Sequence, residues 1–127
     1  MARAILNALD CPDSELSILI EDDKGIAGLN QKYLHRKGPT NVIAFPMRDG
    51  NSPVMNPDIL GDVVISIETA AREGDDAGTG MKRRFAELLI HGILHLFGYD
   101  HENNEHEARR MDRKARELLK IVEGIAL

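Results

Sequence analysis

Residues 81–97 are apolar on nearly every side of a helix, and this stretch constrains the fold more than any other part of the sequence. Few positions are left to face water, since the apolar members are Phe85, Leu88, Leu89, Ile90, Ile93, Leu94, Leu96 and Phe97. A helix that is apolar all round has to be enclosed by the rest of the protein. Gly98 follows it and suits a left-handed C-terminal cap, because a residue without Cβ adopts positive φ at little cost. The sequence therefore predicts a helix through the core.

The segments around this helix predict short strands and further helices. Apolar, β-branched runs predict strands over Leu16–Ile20, Asn41–Phe45 and Gly61–Ser66. Apolar residues at helical spacing predict helices over Lys24–Leu34, Ile67–Arg72 and Glu105–Val122. The stretch Arg48–Asp58 is dominated by turn-forming residues, so it predicts a mobile loop.

Length and composition favour one domain spanning residues 1–127. A chain of 127 residues has the size of one common domain, with no room for a second core. Hydrophobic residues make up 43% and aromatic residues only 4%, so the core must be filled mainly by Leu, Ile, Val and Ala side chains. Cys11 is the only cysteine, so no internal disulfide can form.

The absence of targeting signals predicts the cellular location, and the net charge limits the possible partners. Met1–Asp10 contains no apolar run long enough for secretion, and no later run approaches the roughly twenty apolar residues of a membrane span. We therefore expect a cytoplasmic protein without a membrane partner. The net charge of -5 argues against non-specific coating of nucleic acid, because phosphate neutralisation drives such binding. Basic clusters occur locally and are interpreted first as solvated helix faces: Lys82, Arg83, Arg84, Arg109, Arg110, Arg113, Lys114 and Arg116.

Three histidines at the end of the core helix are the candidate metal ligands. His91 and His95 are four residues apart, which places both side chains on one helix face within reach of a common ion. Gly98 ends the helix, and the turn after it can return His101 as a third nitrogen donor. Three imidazoles and one open position are typical of a catalytic zinc, whereas a structural site requires a fourth protein ligand. A buried polar cluster without metal is the alternative interpretation of the pair.

The histidine spacing resembles that of the metzincin peptidases, with one important difference. Their signature, H-E-x-x-H-x-x-G-x-x-H, has a glutamate directly after the first histidine, where it acts as the general base. This chain has Gly92 at that position. Without that carboxylate, the ion alone must lower the pKa of a bound water, or another group must take the proton. Asp100, Glu102 and Glu105 are close in sequence, and Asp100 could instead accept a hydrogen bond from a ligand histidine.

Three motifs together resemble the YbeY family of bacterial endoribonucleases. They occur in that family's order: TNVIAFP at Thr40–Pro46, LGDVVIS at Leu60–Ser66 and HGILHLFGYDH at His91–His101. The resemblance implies a zinc-dependent endoribonuclease that cuts single-stranded RNA in ribosomal RNA maturation and ribosome quality control. It also implies a zincin-like α+β fold, in which a mixed four-stranded sheet packs on helices around a central metal-binding helix.

The resemblance also assigns site residues and partners. Its zinc ligands fall on His91, His95 and His101, for one zinc ion per chain. An arginine that the family has directly after the aromatic residue of a Tyr-Arg pair is replaced here by Leu34, which follows Tyr33. The implied partners are single-stranded ribosomal RNA and the ribosome or ribosome-assembly proteins, with no DNA expected.

Positive charge near the histidines could line a groove for RNA. Arg36 and Lys37 are the substrate-binding candidates, because a cation is needed to stabilise charge that builds up on phosphorus. Further candidates are Lys82, Arg83, Arg84, Arg109 and Arg110.

Two other functions stay open from the sequence. The chain could be a metal-dependent hydrolase of another bond, including a peptide bond if Glu102 or Glu105 supplies the base. It could also be a non-catalytic ribosome-assembly module with a structural metal. The glycine at position 92 disfavours the first alternative, and the open fourth metal position disfavours the second.

Overall fold

The computed structural model describes residues 1–47, 59–99 and 104–124, which form five helices and three strands. In chain order the elements are α1 Ala2–Ala8, β1 Glu15–Glu21, α2 Asp23–Leu34, β2 Val42–Pro46, β3 Ile59–Ser66, α3 Ile67–Ala77, α4 Met81–Leu96 and α5 Glu105–Glu123. The predicted loop Arg48–Asp58 lies entirely outside the described residues. No helix within the described ranges has the length and apolar character needed to cross a bilayer.

The sheet is mixed, with the order β1-β3-β2. β1 runs parallel to β3, and β2 runs antiparallel to it. The α+β class is confirmed, but the expected fourth strand is wrong for the described residues. The segment before β1 forms the helix α1, whose Ile5 and Leu6 are buried in the core. β1 lies at an edge of the sheet, and Ile20 is 58% exposed on it.

The central helix is confirmed. Eight residues of α4 are buried, and the helix packs against β2, β3, α3 and α5. Val63 and Ile65 of β3 lie in the same hydrophobic cluster as Leu89, Ile93 and Leu94. Gly98 has a φ of 92°, as expected for the residue that turns the chain after this helix.

The predicted end of α3 at Arg72 is wrong, because the helix continues to Ala77. Gly74, which follows the predicted end, lies inside the helix and is buried against the turn that begins α4. The helix ends instead at Gly78, whose φ of 73° gives a left-handed cap.

Gly92 is the point of closest approach between α4 and the sheet. A methyl group at this position would lie 2.6 Å from Cγ1 of Val63 and 3.3 Å from Cγ2 of Val42. The valine side chains are stiff at χ1, so they could not turn aside without a shift of the backbone. Any side chain at residue 92 would therefore push α4 away from β2 and β3.

Substitution Gly92→Ala should destabilise the protein despite alanine's better helix propensity. Overpacking costs about 1–3 kcal/mol and the propensity gain is up to about 1 kcal/mol, so we expect a net loss of about 1–2 kcal/mol. The matched control is Gly28→Ala, in the middle of α2, where a methyl group would meet nothing within 4 Å. That control should gain about 0.5–1 kcal/mol. Urea denaturation measures both, and equal effects of the two substitutions would contradict the close packing.

Hydrogen bonds to Asp23 link the start of α2 to the start of α3. Its Oδ1 accepts hydrogen bonds from Oγ of Ser66 and Oγ1 of Thr69, both at 2.6 Å, and its Oδ2 accepts one from Nη1 of Arg72 at 2.7 Å. The hydrogen bonds from Ser66, Thr69 and Arg72 stabilise the ionised carboxylate and lower the pKa of Asp23 from 3.8 to about 2.

Acid should therefore remove the contribution of Asp23 to stability. Because the pKa is lowered in the folded state, this contribution is present above about pH 3.8 and is lost as the pH falls towards 2. Asp23→Asn should unfold at lower urea concentration than the parent at pH 6, and the difference should shrink between about pH 4 and pH 2. Asp13→Asn, at an exposed position outside this cluster, serves as the control. A difference for Asp23→Asn that stays constant with pH would contradict the assignment.

Candidate catalytic cleft

His91 and His95 lie one turn apart on α4, and their rings meet edge to face. Their Nε2 atoms are 3.0 Å apart, the ring centroids are 4.6 Å apart, and the ring planes are inclined by 75°. Both residues are half-buried. The packing of Gly92 and Ile93 into the core turns the histidine face of the helix towards the surface next to β2.

A cleft with a volume of about 580 Å³ opens over this histidine pair. Its walls come from the end of α2 with the segment after it, from β2, and from the last turns of α4. The lining residues are Leu34, Arg36, Thr40, Asn41, Val42, Ile43, Ala44, Pro46, His91, Gly92, His95, Gly98 and Tyr99. Of the two predicted substrate-binding residues, Arg36 lines the cleft and Lys37 does not.

Arg36 is held at the cleft by the way that α2 ends. His35 takes a left-handed conformation with φ 55° and caps the helix, and the backbone N–H of Arg36 then donates to the carbonyl of Asn30 at 3.2 Å. The buried Asn30 side chain donates from Nδ2 to the carbonyl of Gly38 at 2.9 Å. These bonds fix the segment 35–38 beside β2. Leu34, at the position where the family's arginine is expected, lines the same cleft.

The other predicted basic residues divide into those near the histidines and those away from them. Arg110 stacks over the ring of Tyr99, 4.7 Å from its centroid, and Tyr99 lines the cleft. Arg84 lines a second cavity that also contacts His91. Arg83 instead pairs with Glu123 of α5, with 3.4 Å between Nη1 and Oε1. Lys82 and Arg109 are exposed and line neither cavity.

Some residues at the site were not singled out as functional from the sequence. Asn41, which the sequence placed only at the start of a predicted strand, lines both cavities, and its Nδ2 donates to Oε1 of Glu73 at 3.3 Å. The same Glu73 oxygen accepts from Nε of Arg84 at 2.9 Å. This network joins the start of β2 to α3 and α4. No sequence signal predicts it, because its three residues come from three separate elements.

The third predicted ligand, His101, lies outside the described residues, as do Asp100 and Glu102. Across residues 1–47, 59–99 and 104–124, His, Cys, Asp and Glu side chains form no group of three or more that could hold a metal. Of the three predicted metal ligands, the described residues therefore include two, His91 and His95.

The fold matches a known class of α+β proteins. The solution structure of a protein from Thermotoga maritima superposes with a TM-score of 0.64 at 23% identity, covering 97% of this chain and 83% of that one. At this level of identity the likeness concerns the fold alone. The two proteins therefore share a class of α+β fold.

The sequence comparisons identify the family. The family model described as Endoribonuclease YbeY matches residues 1–123. A YbeY endoribonuclease from Geobacter metallireducens is 52% identical over 124 residues, covering 97% of this chain and 83% of the relative. One from Syntrophus aciditrophicus is 42% identical over 126 residues, covering 98% and 79%. The chain belongs to the endoribonuclease YbeY family, which confirms the resemblance seen in the three motifs and makes the protein a hydrolase.

Proposed function

We propose that this chain is a zinc-dependent endoribonuclease that cuts single-stranded RNA in ribosomal RNA maturation and ribosome quality control. One zinc ion would be held by His91, His95 and His101. The observation that carries the proposal is the histidine pair, whose two Nε2 atoms are 3.0 Å apart in a cleft that also contains Arg36. Membership of an endoribonuclease family supports RNA as the substrate.

The donor pair fits a zinc ion by its chemistry and its spacing. Zn–N bonds of about 2.0–2.1 Å at a tetrahedral angle require two nitrogens roughly 3.3 Å apart. The observed 3.0 Å differs from this by a few tenths of an ångström, which a small ring rotation can supply. When bound, such an ion polarises a phosphoryl oxygen and lowers the pKa of a bound water towards neutrality.

The protein's own residues would orient the RNA. The guanidinium of Arg36 carries five N–H donors and stays charged, so it can bind a phosphate and stabilise the negative charge that builds up on it. Because hydrogen bonds hold the segment 35–38 in place, less conformational entropy is lost when Arg36 binds a phosphate.

Peptide hydrolysis is disfavoured by the packing of residue 92. A glutamate at this position would serve as the base in a peptidase, but here Val63 and Val42 occupy the space that its side chain would need. The cleft therefore suits phosphoryl transfer better than it suits a zinc peptidase mechanism.

Zinc should stabilise the folded protein through the histidine pair. Zinc at 100 times its dissociation constant should raise the free energy of unfolding by about 2.7 kcal/mol, because the native state alone binds it. Differential scanning fluorimetry with zinc and with a chelator measures this as a rise in Tm. His95→Ala should lose most of the shift, whereas His106→Ala, an exposed histidine on α5, should keep it. A parent protein that melts at the same temperature under both conditions would refute the metal site.

Cleavage of single-stranded RNA should depend on His95 and Arg36. We expect His95→Ala to abolish cleavage and Arg36→Ala to lower kcat/KM by about 10²-fold, the usual effect of removing one donor to a developing charge. Lys37→Ala should have a much smaller effect, because Lys37 does not line the cleft. Gel assays with ribosomal RNA, a single-stranded oligonucleotide and casein measure these outcomes.

The same assays separate the rival functions. Cleavage of casein but not of RNA would indicate a peptidase. Intact RNA together with tight zinc binding and a normal melt would indicate a ribosome-assembly module with a structural metal. In RNA-binding titrations, Arg36→Ala should also flatten the dependence of log affinity on log salt, since each phosphate contact adds to that slope.

A further inference from the structure

A second cavity lies directly beside His91, between the start of β2, α4 and α5. We call it the flanking cavity; its volume is about 250 Å³, and it shares Asn41, Val42 and His91 with the cleft over the histidine pair. An RNA strand whose phosphate lies at the histidines would therefore bring a neighbouring nucleotide to this cavity. The volume is slightly below the roughly 300–1,000 Å³ of small-molecule sites, which suits one ring system.

The charges around the flanking cavity do not favour a phosphate. Arg84 pairs with Glu73 at 2.9 Å and with Glu87 at 3.4 Å, and Arg116 pairs with Asp112 at 3.3 Å. Each arginine is thus matched by at least one carboxylate. The neutral part of a nucleotide, its base, is the better occupant.

The walls of the flanking cavity offer both an apolar surface and hydrogen-bond acceptors. Val42, Leu88, Ala115 and Leu119 supply aliphatic surface against which a flat ring can pack. Glu87 supplies carboxylate oxygens, and it lies one helical turn before His91. A carboxylate accepts hydrogen bonds from an exocyclic amino group such as N4 of cytosine, whereas uracil has a carbonyl oxygen at the same position.

We propose that the flanking cavity binds the base of the nucleotide next to the cleaved phosphate and selects bases with an exocyclic amino group. This inference rests on the proposed RNA cleavage, and it adds a specificity-determining subsite to it. Glu87 accepts the hydrogen bond from the amino group, and Ala115 forms part of the wall against which the base packs. Cytosine and uracil form the sharpest test pair, because the same pyrimidine ring carries an amino group at C4 in cytosine and a carbonyl oxygen there in uracil.

The first test compares RNA oligonucleotides that carry cytidine or uridine at each nucleotide flanking the cut. Because cytidine gains one hydrogen bond that uridine lacks, the parent should cut the cytidine substrate about fivefold faster at one of these positions. Ala115→Leu should fill the cavity, and Glu87→Gln should replace the acceptor carboxylate with an amide; both should bring the ratio close to one. Ala108→Leu is the matched control on α5, where a half-buried alanine lies outside the cavity, and it should keep the parent ratio.

The second test measures binding without cleavage. Cytidine and uridine are titrated into the ¹⁵N-labelled protein, and the amide shifts of Ala115 and Leu119 are followed by NMR. Cytidine should move these signals at lower concentration than uridine, and Ala115→Leu should remove the effect. If RNA is not cut but cytidine still binds here, the proposed function fails and the subsite stands. Equal cutting of both substrates with no shift from either nucleoside overturns the subsite and leaves RNA cleavage intact.

Discussion

The contact of Gly92 with Val42 of β2 and Val63 of β3 sets the position of α4, and with it the positions of the side chains that α4 places at the cleft. It lets α4 approach the sheet so closely that a methyl group at residue 92 would overlap Val63. The residues on either side of the glycine are thereby fixed in direction. Ile93 enters the core, and the histidines on the adjacent face open towards β2. A looser helix would leave the two imidazoles on the same face but would not hold them at a fixed distance from the cleft wall.

This close packing also separates the chemistry of the site from that of the zinc peptidases. The position that would carry a general base is occupied by backbone packed on valine, so the helix contributes imidazoles and no carboxylate between them. Charged groups come instead from neighbouring elements. Arg36 reaches the cleft from the end of α2, and Tyr99 reaches it from the turn after α4, with Arg110 of α5 stacked on its ring. The site is thus assembled from side chains of several elements around one rigid helix.

Much of this arrangement could be predicted from local patterns, and the rest depended on contacts between distant segments. The extent of α4 was predicted to within one residue, because its apolar pattern and the following glycine are local signals. The seven-residue α1 is too short to show a clear period, and it was missed. The helix α3 was predicted to end at Arg72, but the tight packing of Gly74 against the turn before α4 lies within the longer helix that forms. Likewise the spacing of His91 and His95 predicted a shared face, while the placement of Arg36 beside them depends on the bond from Asn30 to Gly38.

The two cavities beside His91 both contain arginine, but they differ in whether carboxylates neutralise the arginine charge. In the cleft over the histidine pair, Arg36 lies in a segment whose hydrogen bonds run between the backbone and the amide of Asn30, so those bonds do not neutralise its guanidinium. In the flanking cavity, Glu73 and Glu87 lie against Arg84, and Asp112 lies against Arg116. A phosphate loses hydration wherever it binds and needs an uncompensated cation in return, whereas a base needs apolar surface and a few directed hydrogen bonds. His91 therefore lies between a cleft that contains Arg36 and a cavity whose arginines are paired with carboxylates.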